Sequence, residues 1–135
     1  MATRPAPAIS PDTEFFWNGL REQKLLIQRC TECGALRNPP RPMCPKCRSL
    51  AWVAIESSGH GTVYSYVMPL EPRFPFFDYP YIVVLVALDE GVRLVSNLWG
   101  IEPADVTVGM PVEVFYRAFA NDLVLHQFRP VKGSR

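Results

Sequence analysis

The sequence predicts a mainly β protein with an N-terminal helix, a rubredoxin-like four-cysteine zinc ribbon and then a five-stranded barrel of the OB type. Three observations lead to this prediction: two Cys-X-X-Cys pairs, strand-like segments that recur after Gly59, and one capped helical segment before the first cysteine. We expect an arm and helix in residues 1–22, the ribbon in 23–57, the barrel in 58–130 and a tail in 131–135.

The first segment is predicted to be a helix with a flexible arm before it. Residues 1–9 are rich in proline and alanine and show no periodicity, as is typical of an arm. Ser10 and Pro11 indicate a helix start, because Ser10 can cap free N–H groups and Pro11 suits the first helical position. The helix should run to about Arg21. Its apolar residues exceed what one stripe of a short helix can bury, so we expect the ribbon or another subunit to cover Phe15, Phe16, Trp17 and Leu20.

All four cysteines of the chain belong to the two pairs, Cys30 with Cys33 and Cys44 with Cys47. Two residues between thiolates let a tight turn direct both sulfurs at one ion, so the pairs predict a closed site for one structural zinc ion. Gly34 follows the first pair, where positive φ would relieve the turn. The short separation of the pairs leaves a rubredoxin-like iron site or two disulfides open. The chain start lacks an apolar signal segment, which favours a reducing cytoplasm over disulfides.

Short segments separated by turn signals predict the strands. Residues 24–29 and 52–56 flank the cysteine pairs, and a stiff proline-rich connection at 36–43 lies between the pairs. Five barrel strands follow, at residues 62–68, 81–88, 92–99, 111–118 and 123–128. The interruption after the third of these matches an OB-type Greek key, although an SH3-like barrel or an open meander also fits.

Length and charge limit the function classes. The 135 residues can bury one core plus a small appendage, and the longest apolar run, at 82–88, is too short to cross a bilayer. We therefore expect a soluble cytoplasmic protein without membrane contact. Net charge is +1, but residues 21–50 carry seven Arg or Lys against two Glu. This basic half suits an anionic ligand or acidic partner, whereas the acidic remainder disfavours a long polyanion, so a nucleic-acid-binding module is the alternative.

No catalytic motif is present in the sequence. It lacks a Ser-His-Asp elbow, a Gly-rich phosphate loop and a His-Glu metal motif, so we expect a chain that is not catalytic alone. His60 and His126 are expected to be structural. Asp89 and Glu90 precede a glycine that marks a hairpin tip, where carboxylates are expected to be simply hydrated.

The loop at residues 69–80 joins the first two predicted barrel strands and is unusually apolar. Between its prolines lie the aromatic residues Phe74, Phe76, Phe77 and Tyr79. Such a loop needs a cover, and proline stiffening lowers the entropy lost on docking. We expect a protein interface here, with ligand contact and self-packing as the alternatives.

The order of helix, four-cysteine ribbon and barrel resembles the zinc-ribbon and OB-fold family of acyl-CoA-associated proteins, long carried as a domain of unknown function. The resemblance covers nearly the whole chain. It rests on the segments FWNGL at 16–20, QRCTECG at 28–34, PPR at 39–41, CPKC at 44–47, GTVYS at 61–65 and GMPVEV at 109–114.

The resemblance implies a non-catalytic accessory subunit that binds a thiolase-fold enzyme, such as a sterol-carrier-type thiolase or a related aldolase, and supports its activity on acyl-CoA substrates. The chain is most similar to versions from steroid side-chain degradation, which implies steroid CoA thioesters and an associated or fused enoyl-CoA hydratase. Arg37 and Arg41 are then the candidates for a CoA phosphate, because a guanidinium can donate two parallel hydrogen bonds to phosphate, with solvated surface charge as the alternative. The apolar helix residues and the loop aromatics are the candidates for partner contact.

Overall fold

A computed structural model describes residues 4–75, 77, 79–120 and 122–132. This part of the chain contains one α-helix, α1 (Glu14–Arg21), followed by two β-sheets. The ribbon strands are β1 (Leu26–Cys30), β2 (Leu36–Arg37) and β3 (Trp52–Glu56), in the antiparallel order β2-β1-β3. The barrel strands are β4 (His60–Val67), β5 (Ile82–Leu88), β6 (Arg93–Leu98), β7 (Pro111–Phe119) and β8 (Leu123–Pro130). A 3₁₀ turn, Pro103–Asp105, lies between β6 and β7.

The five barrel strands close on themselves in the order β4-β5-β6-β8-β7. Antiparallel pairing of β4 with β7 closes the barrel, and β6 meets β8 in a parallel contact. A closed five-stranded Greek-key barrel of this order is the OB arrangement, so the predicted fold class is confirmed and the open meander is excluded. Within the described residues, no helix has the length and apolarity needed to cross a membrane.

The helix starts later than the sequence indicated. It begins at Glu14 with Thr13 as its N-cap, and it ends at Arg21 as expected. Ser10 instead opens a preceding turn, because its carbonyl accepts hydrogen bonds from the backbone N–H groups of Thr13 and Glu14. The backbone N–H of Ser10 donates in return to Oγ1 of Thr13 at 3.1 Å. The predicted capping role of Ser10 is therefore replaced by a turn that leads into the helix.

One hydrophobic core runs from α1 through the ribbon into the barrel. Phe16 and Leu20 are 6% and 0% exposed, and they join Leu25, Ile27 and barrel residues such as Val84. Burying side chains of this size contributes about 1.5–3 kcal/mol each. This corrects the expectation for Phe16 and Leu20 as partner contacts, since the barrel of the same chain already covers them.

Glu90 connects the ribbon to the barrel, which corrects the expectation of a merely hydrated hairpin residue. Its Oε1 accepts a hydrogen bond from the Ser57 hydroxyl at 2.7 Å, and its Oε2 accepts one from the Ser58 backbone N–H at 2.9 Å. Both serines lie in the link between β3 and β4. Partial burial raises the pKa of Glu90, but these hydrogen bonds outweigh burial and hold the pKa below its ordinary value.

Gly59 is the other constraint at this joint. Its φ is +80°, and a Cβ at this position would overlap Cγ1 of Val114. The Gly59 carbonyl also accepts the backbone N–H of Val114 at 2.8 Å, which holds the two backbones close together. Only glycine fits both the conformation and the space.

We expect Glu90→Gln to lower the free energy of unfolding by about 1 kcal/mol near neutral pH, because the charged acceptor of one part-buried and one exposed hydrogen bond becomes neutral. A carboxyl whose folded-state pKa is depressed contributes stability above its unfolded pKa and loses it as the pH falls through the folded pKa. The stability difference in urea unfolding should therefore vanish in acid. Exposed Glu102→Gln is the control. Identical pH dependence in both variants would contradict the role of Glu90.

We expect Gly59→Ala to destabilise the protein by about 3 kcal/mol, since it combines unfavourable positive φ with a steric overlap. Gly91→Ala is a matched control, because Gly91 also has positive φ but nothing lies within 4 Å of an added Cβ. That change should cost only about 1 kcal/mol. Denaturant unfolding of both variants checks the difference, and equal losses would show that the contact with Val114 is unimportant.

Candidate metal centre and docking surfaces

Two turns of the same backbone form present the four cysteines. In each turn, the residue four positions after the first cysteine donates its N–H back to that cysteine: Gly34 to the Cys30 carbonyl at 2.9 Å, and Arg48 to the Cys44 carbonyl at 3.0 Å. Gly34 has φ +77° and Arg48 has φ +65°. Positive φ at Gly34 is thus confirmed. Arg48 was missed because arginine gives no sequence signal for this conformation.

The four sulfurs form one compact cluster. They all lie within 4.8 Å of one another, with 3.5 Å between the Sγ atoms of Cys30 and Cys47 and 3.6 Å between those of Cys33 and Cys44. A tetrahedral zinc site with Zn–S distances of about 2.3 Å has S–S separations of about 3.8 Å, so the cluster has the required size. All four thiols are free, and the disulfide alternative is not realised.

Backbone N–H groups lower the pKa of the first cysteine of each pair, which favours binding of a cation. Hydrogen bonding from the Cys47 backbone N–H is the main cause that lowers the pKa of Cys44 to about 6. The Cys33 backbone N–H lowers the pKa of Cys30 in the same way. The Ser49 backbone N–H lowers the pKa of Cys47, but the neighbouring sulfur of Cys30, burial and the other thiols outweigh it and raise the pKa to about 12. Two sulfurs therefore ionise readily, and a cation would favour ionisation of the rest.

Four thiolates would complete the coordination of one zinc ion. The donor set is soft, its four sulfurs lie close enough together for a tetrahedral site, and its N–H donors stabilise the thiolate form, so the residues fit the metal. With four protein ligands, no position remains for a reactive water. Cys30, Cys33, Cys44 and Cys47 therefore make a structural site that holds the two ribbon turns together.

We expect about one zinc ion per chain, and we expect Cys44→Ser to lower zinc content and loosen the ribbon, because metal binding supplies much of a small ribbon's folding energy. Hydrogen exchange should show lost protection in residues 24–56, with smaller changes in β5. Exposed Lys46→Ala, in the same turn, is the control. Absence of metal in fresh reduced protein would contradict the site.

Arg37 is buried inside the ribbon, so its guanidinium is not accessible to a phosphate. Its side chain is 5% exposed, and its Nε–H is shared between Oε1 of Gln28 at 3.1 Å and the carbonyl of Arg41 at 3.0 Å. The backbone N–H of Arg41 donates to the same Gln28 oxygen at 2.7 Å. Arg37 thus fastens the proline-rich connection to β1. This corrects its predicted role as a direct phosphate ligand, because its terminal nitrogens are buried.

Arg41 is exposed and faces a cleft of about 440 Å³ between the proline-rich connection and the β5–β6 hairpin. Arg93 also lines the cleft and is exposed, with its guanidinium carbon 3.9 Å from the centroid of the Tyr64 ring. The Arg93 carbonyl accepts a hydrogen bond from Nδ2 of Asn38 at 2.7 Å. No carboxylate occurs among the residues that line the cleft. Tertiary structure brings these two arginines together across about fifty positions of sequence, so the pairing had no local signal.

The aromatic loop is only partly open. Phe77 stacks on Tyr81 with ring centroids 4.9 Å apart, and the Tyr79 hydroxyl oxygen accepts the Phe74 backbone N–H at 2.9 Å. The Phe74 side chain itself remains 44% exposed. Phe76 lies outside the described residues. The loop therefore packs some of its rings on itself and presents Phe74 outward.

The remaining helix candidates are half-buried. Phe15 packs on Trp52 of β3 with ring centroids 4.7 Å apart, so it joins the helix to the ribbon. Trp17 meets Phe16 edge-on at 5.1 Å. Both side chains keep some exposed surface, unlike Phe16 and Leu20.

An apolar surface on the barrel exterior was not predicted. The side chains of Val67 and Val95 are 61% and 60% exposed. Val83 pairs with Val67 and Leu85 pairs with Val95, so all four side chains lie on the same outward face. We call these four residues the outer barrel face. A signal was available in the sequence, because β5 reads Ile-Val-Val-Leu-Val-Ala-Leu without polar alternation, as is typical of a strand covered on both faces.

Comparisons with known proteins agree with this architecture. Residues 17–53 match the family described as "ChsH2, rubredoxin-like zinc ribbon domain", and residues 54–117 match "ChsH2, C-terminal OB-fold domain". A chain in a solved structure described as "Ltp2-ChsH2(DUF35) aldolase" is 45% identical to this one and superposes on it with a TM-score of 0.89. The match covers 93% of this chain and 98% of the chain in that structure.

Two curated relatives are also informative. The 3-oxo-4,17-pregnadiene-20-carboxyl-CoA hydratase alpha subunit of Mycobacterium tuberculosis is 41% identical over 92% of this chain and 39% of its own length. A DUF35 domain-containing scaffold protein of Methanocaldococcus jannaschii is 36% identical over 78% of this chain and 77% of its own length. The chain spans about 40% of the length of the longer, hydratase-type relatives. With its four-cysteine ribbon and closed five-stranded barrel, this chain belongs to the DUF35 family of the ChsH2 type.

Proposed function

We propose that this chain is a non-catalytic accessory subunit that docks on a thiolase-fold enzyme and supports its activity on acyl-CoA thioesters. The observation that carries the proposal is the match over 98% of one chain in the structure described as an Ltp2-ChsH2(DUF35) aldolase. A structural metal site and a core that already covers Phe16 and Leu20 make the chain a rigid support. The hydratase-type relative supports steroid CoA thioesters as substrates and an enoyl-CoA hydratase as a further partner.

The outer barrel face is the proposed docking surface. Its four aliphatic side chains form a continuous patch across three strands, and solvent-exposed apolar area of this kind favours protein contact. Leu70 and Phe74, exposed by 57% and 44%, lie on the loop that leaves β4 next to this face. The half-buried Phe15, Trp17, Phe77 and Tyr79 remain candidates for the rim of the interface.

The arginine cleft is the proposed contact for a CoA phosphate. Arg41 and Arg93 face the same cleft, and Arg37 places a buried positive charge behind it without a carboxylate partner in the described part of the chain. A cleft lined by positive charge attracts phosphate, and arginine can bind it through two parallel hydrogen bonds. Here Arg37 acts by positioning Arg41, whose carbonyl and backbone N–H belong to the same hydrogen-bond network.

Co-expression with a thiolase-fold aldolase should yield a stable complex whose aldolase activity is lost when this chain is omitted. We expect Val67→Glu to raise the dissociation constant at least tenfold, because docking would bury an unpaired carboxylate. Val108→Glu is the matched control, since Val108 is 69% exposed but lies on the loop before β7. Light scattering and calorimetry measure complex formation. A chain that stays monomeric with every such enzyme, or equal effects of both variants, would defeat the proposal.

A further inference from the structure

Residues 4–9, which precede the turn that leads into α1, lie against the barrel, and we call them the strap. Pro7 lines a cavity of about 120 Å³ together with Trp17 of α1 and residues of the β7–β8 hairpin. Arg4 lines this cavity too, and it also lines a cleft of about 300 Å³ whose walls include Val83 and Val95. Those two valines belong to the outer barrel face, so the strap runs from α1 to the edge of that face.

Arg4 fastens the strap both to the barrel and to the aromatic loop. Its Nη1 donates a hydrogen bond to Oδ1 of Asn97 at 3.0 Å, and Asn97 is itself held, since its Nδ2 donates to the carbonyl of Ile82 at 3.1 Å. The guanidinium carbon lies 4.7 Å from the ring centroid of Phe77 in the loop and 5.1 Å from that of the buried Phe119. A guanidinium at such distances is attracted to the ring electrons, more strongly where water is excluded. One side chain therefore joins the barrel to the loop.

A series of contacts connects Phe77 to the exposed part of the loop. The Phe77 ring stacks on Tyr81, and Tyr81 meets Tyr79 with ring centroids 5.1 Å apart. The Tyr79 hydroxyl in turn accepts the backbone N–H of Phe74 at 2.9 Å. Because each group in this series restricts the next, the position of Phe77 constrains that of Phe74. A loop without these contacts would sample several conformations, and docking would then select one at an entropic cost.

We propose that the strap, fastened by Arg4, holds the aromatic loop in the conformation in which Phe74 extends the docking surface beside the outer barrel face. Arg4 is then a positioning residue for the interface, and this inference rests on the proposed function, because the occupant of the surface is the thiolase-fold enzyme. The strap does not itself cover the surface, since Phe74 is 44% and Val95 is 60% exposed with Arg4 in place. Ordering the loop before docking lowers the conformational entropy lost on association, so the strap increases affinity.

The fastening is tested on the chain alone by amide hydrogen exchange. The backbone N–H of Phe74 donates to the Tyr79 hydroxyl, and the backbone N–H of Phe77 donates to the Phe74 carbonyl at 3.3 Å. Arg4→Gln removes the cation beside Phe77, so both N–H groups should exchange about threefold faster than in the unmodified chain. Exchange within β1 and β3 of the ribbon should not change.

Arg117→Gln is the matched control. The guanidinium carbon of Arg117 also lies 5.1 Å from the Phe119 centroid, but its second ring contact is Trp99 and not the loop. This variant should leave exchange in the loop unchanged. Arg4→Lys keeps the charge and should restore about half of the lost protection, whereas Arg4→Met keeps the length of the side chain alone and should restore none.

Binding to the thiolase-fold enzyme tests the consequence for docking. In calorimetry, Arg4→Gln should raise the dissociation constant about fivefold, and Arg117→Gln should not change it. Unchanged exchange in Arg4→Gln, or equal affinity of the two variants, would overturn the proposal. Tighter binding of Arg4→Gln would overturn it as well, because the strap would then block the surface. If the unmodified chain binds no such enzyme, the proposed function fails and this inference with it; if it binds and Arg4→Gln binds equally well, only the role of the strap is wrong.

Discussion

Burial of Phe16 and Leu20 against the barrel is the contact on which the rest of the structure depends. Without it, α1 would be an eight-residue helix, too short to be stable in water by itself. With it, the helix, the start of the ribbon and the barrel share one core that includes Leu25 and Ile27. The same contact places Phe16 edge-on to His126, at the junction of β6 and β8.

The sulfur cluster has a more local task. It holds two turns together and thereby fixes the ends of the proline-rich connection, while the hydrogen bonds among Gln28, Arg37 and Arg41 fix its middle. Burying an arginine without a carboxylate partner costs free energy. The hydrogen bonds that Arg37 donates to Gln28 and to the Arg41 carbonyl offset part of that cost. The connection can then serve as one wall of the arginine cleft.

The proposed subunit role assigns function to surfaces and clefts. The outer barrel face and the arginine cleft both lie along the β5–β6 hairpin, with Leu85 and Val95 on the first and Arg93 on the second. A partner that docks on the aliphatic face would therefore lie next to the arginine cleft.

The sequence by itself determined the elements and the metal site. Cysteine spacing, apolar strand runs and turn residues act over a few positions, so the ribbon, the barrel strands and the positive φ of Gly34 could be predicted. Local sequence patterns predicted the wrong helix start. They also failed to predict that Phe16, Leu20 and Arg37 are buried, because burial depends on distant parts of the chain. Only the tertiary structure decided that Arg41 and Arg93 line one cleft, that Glu90 joins the ribbon to the barrel and that Phe16 packs on His126. Those relations join residues far apart in the chain, and local pattern carries no information about them.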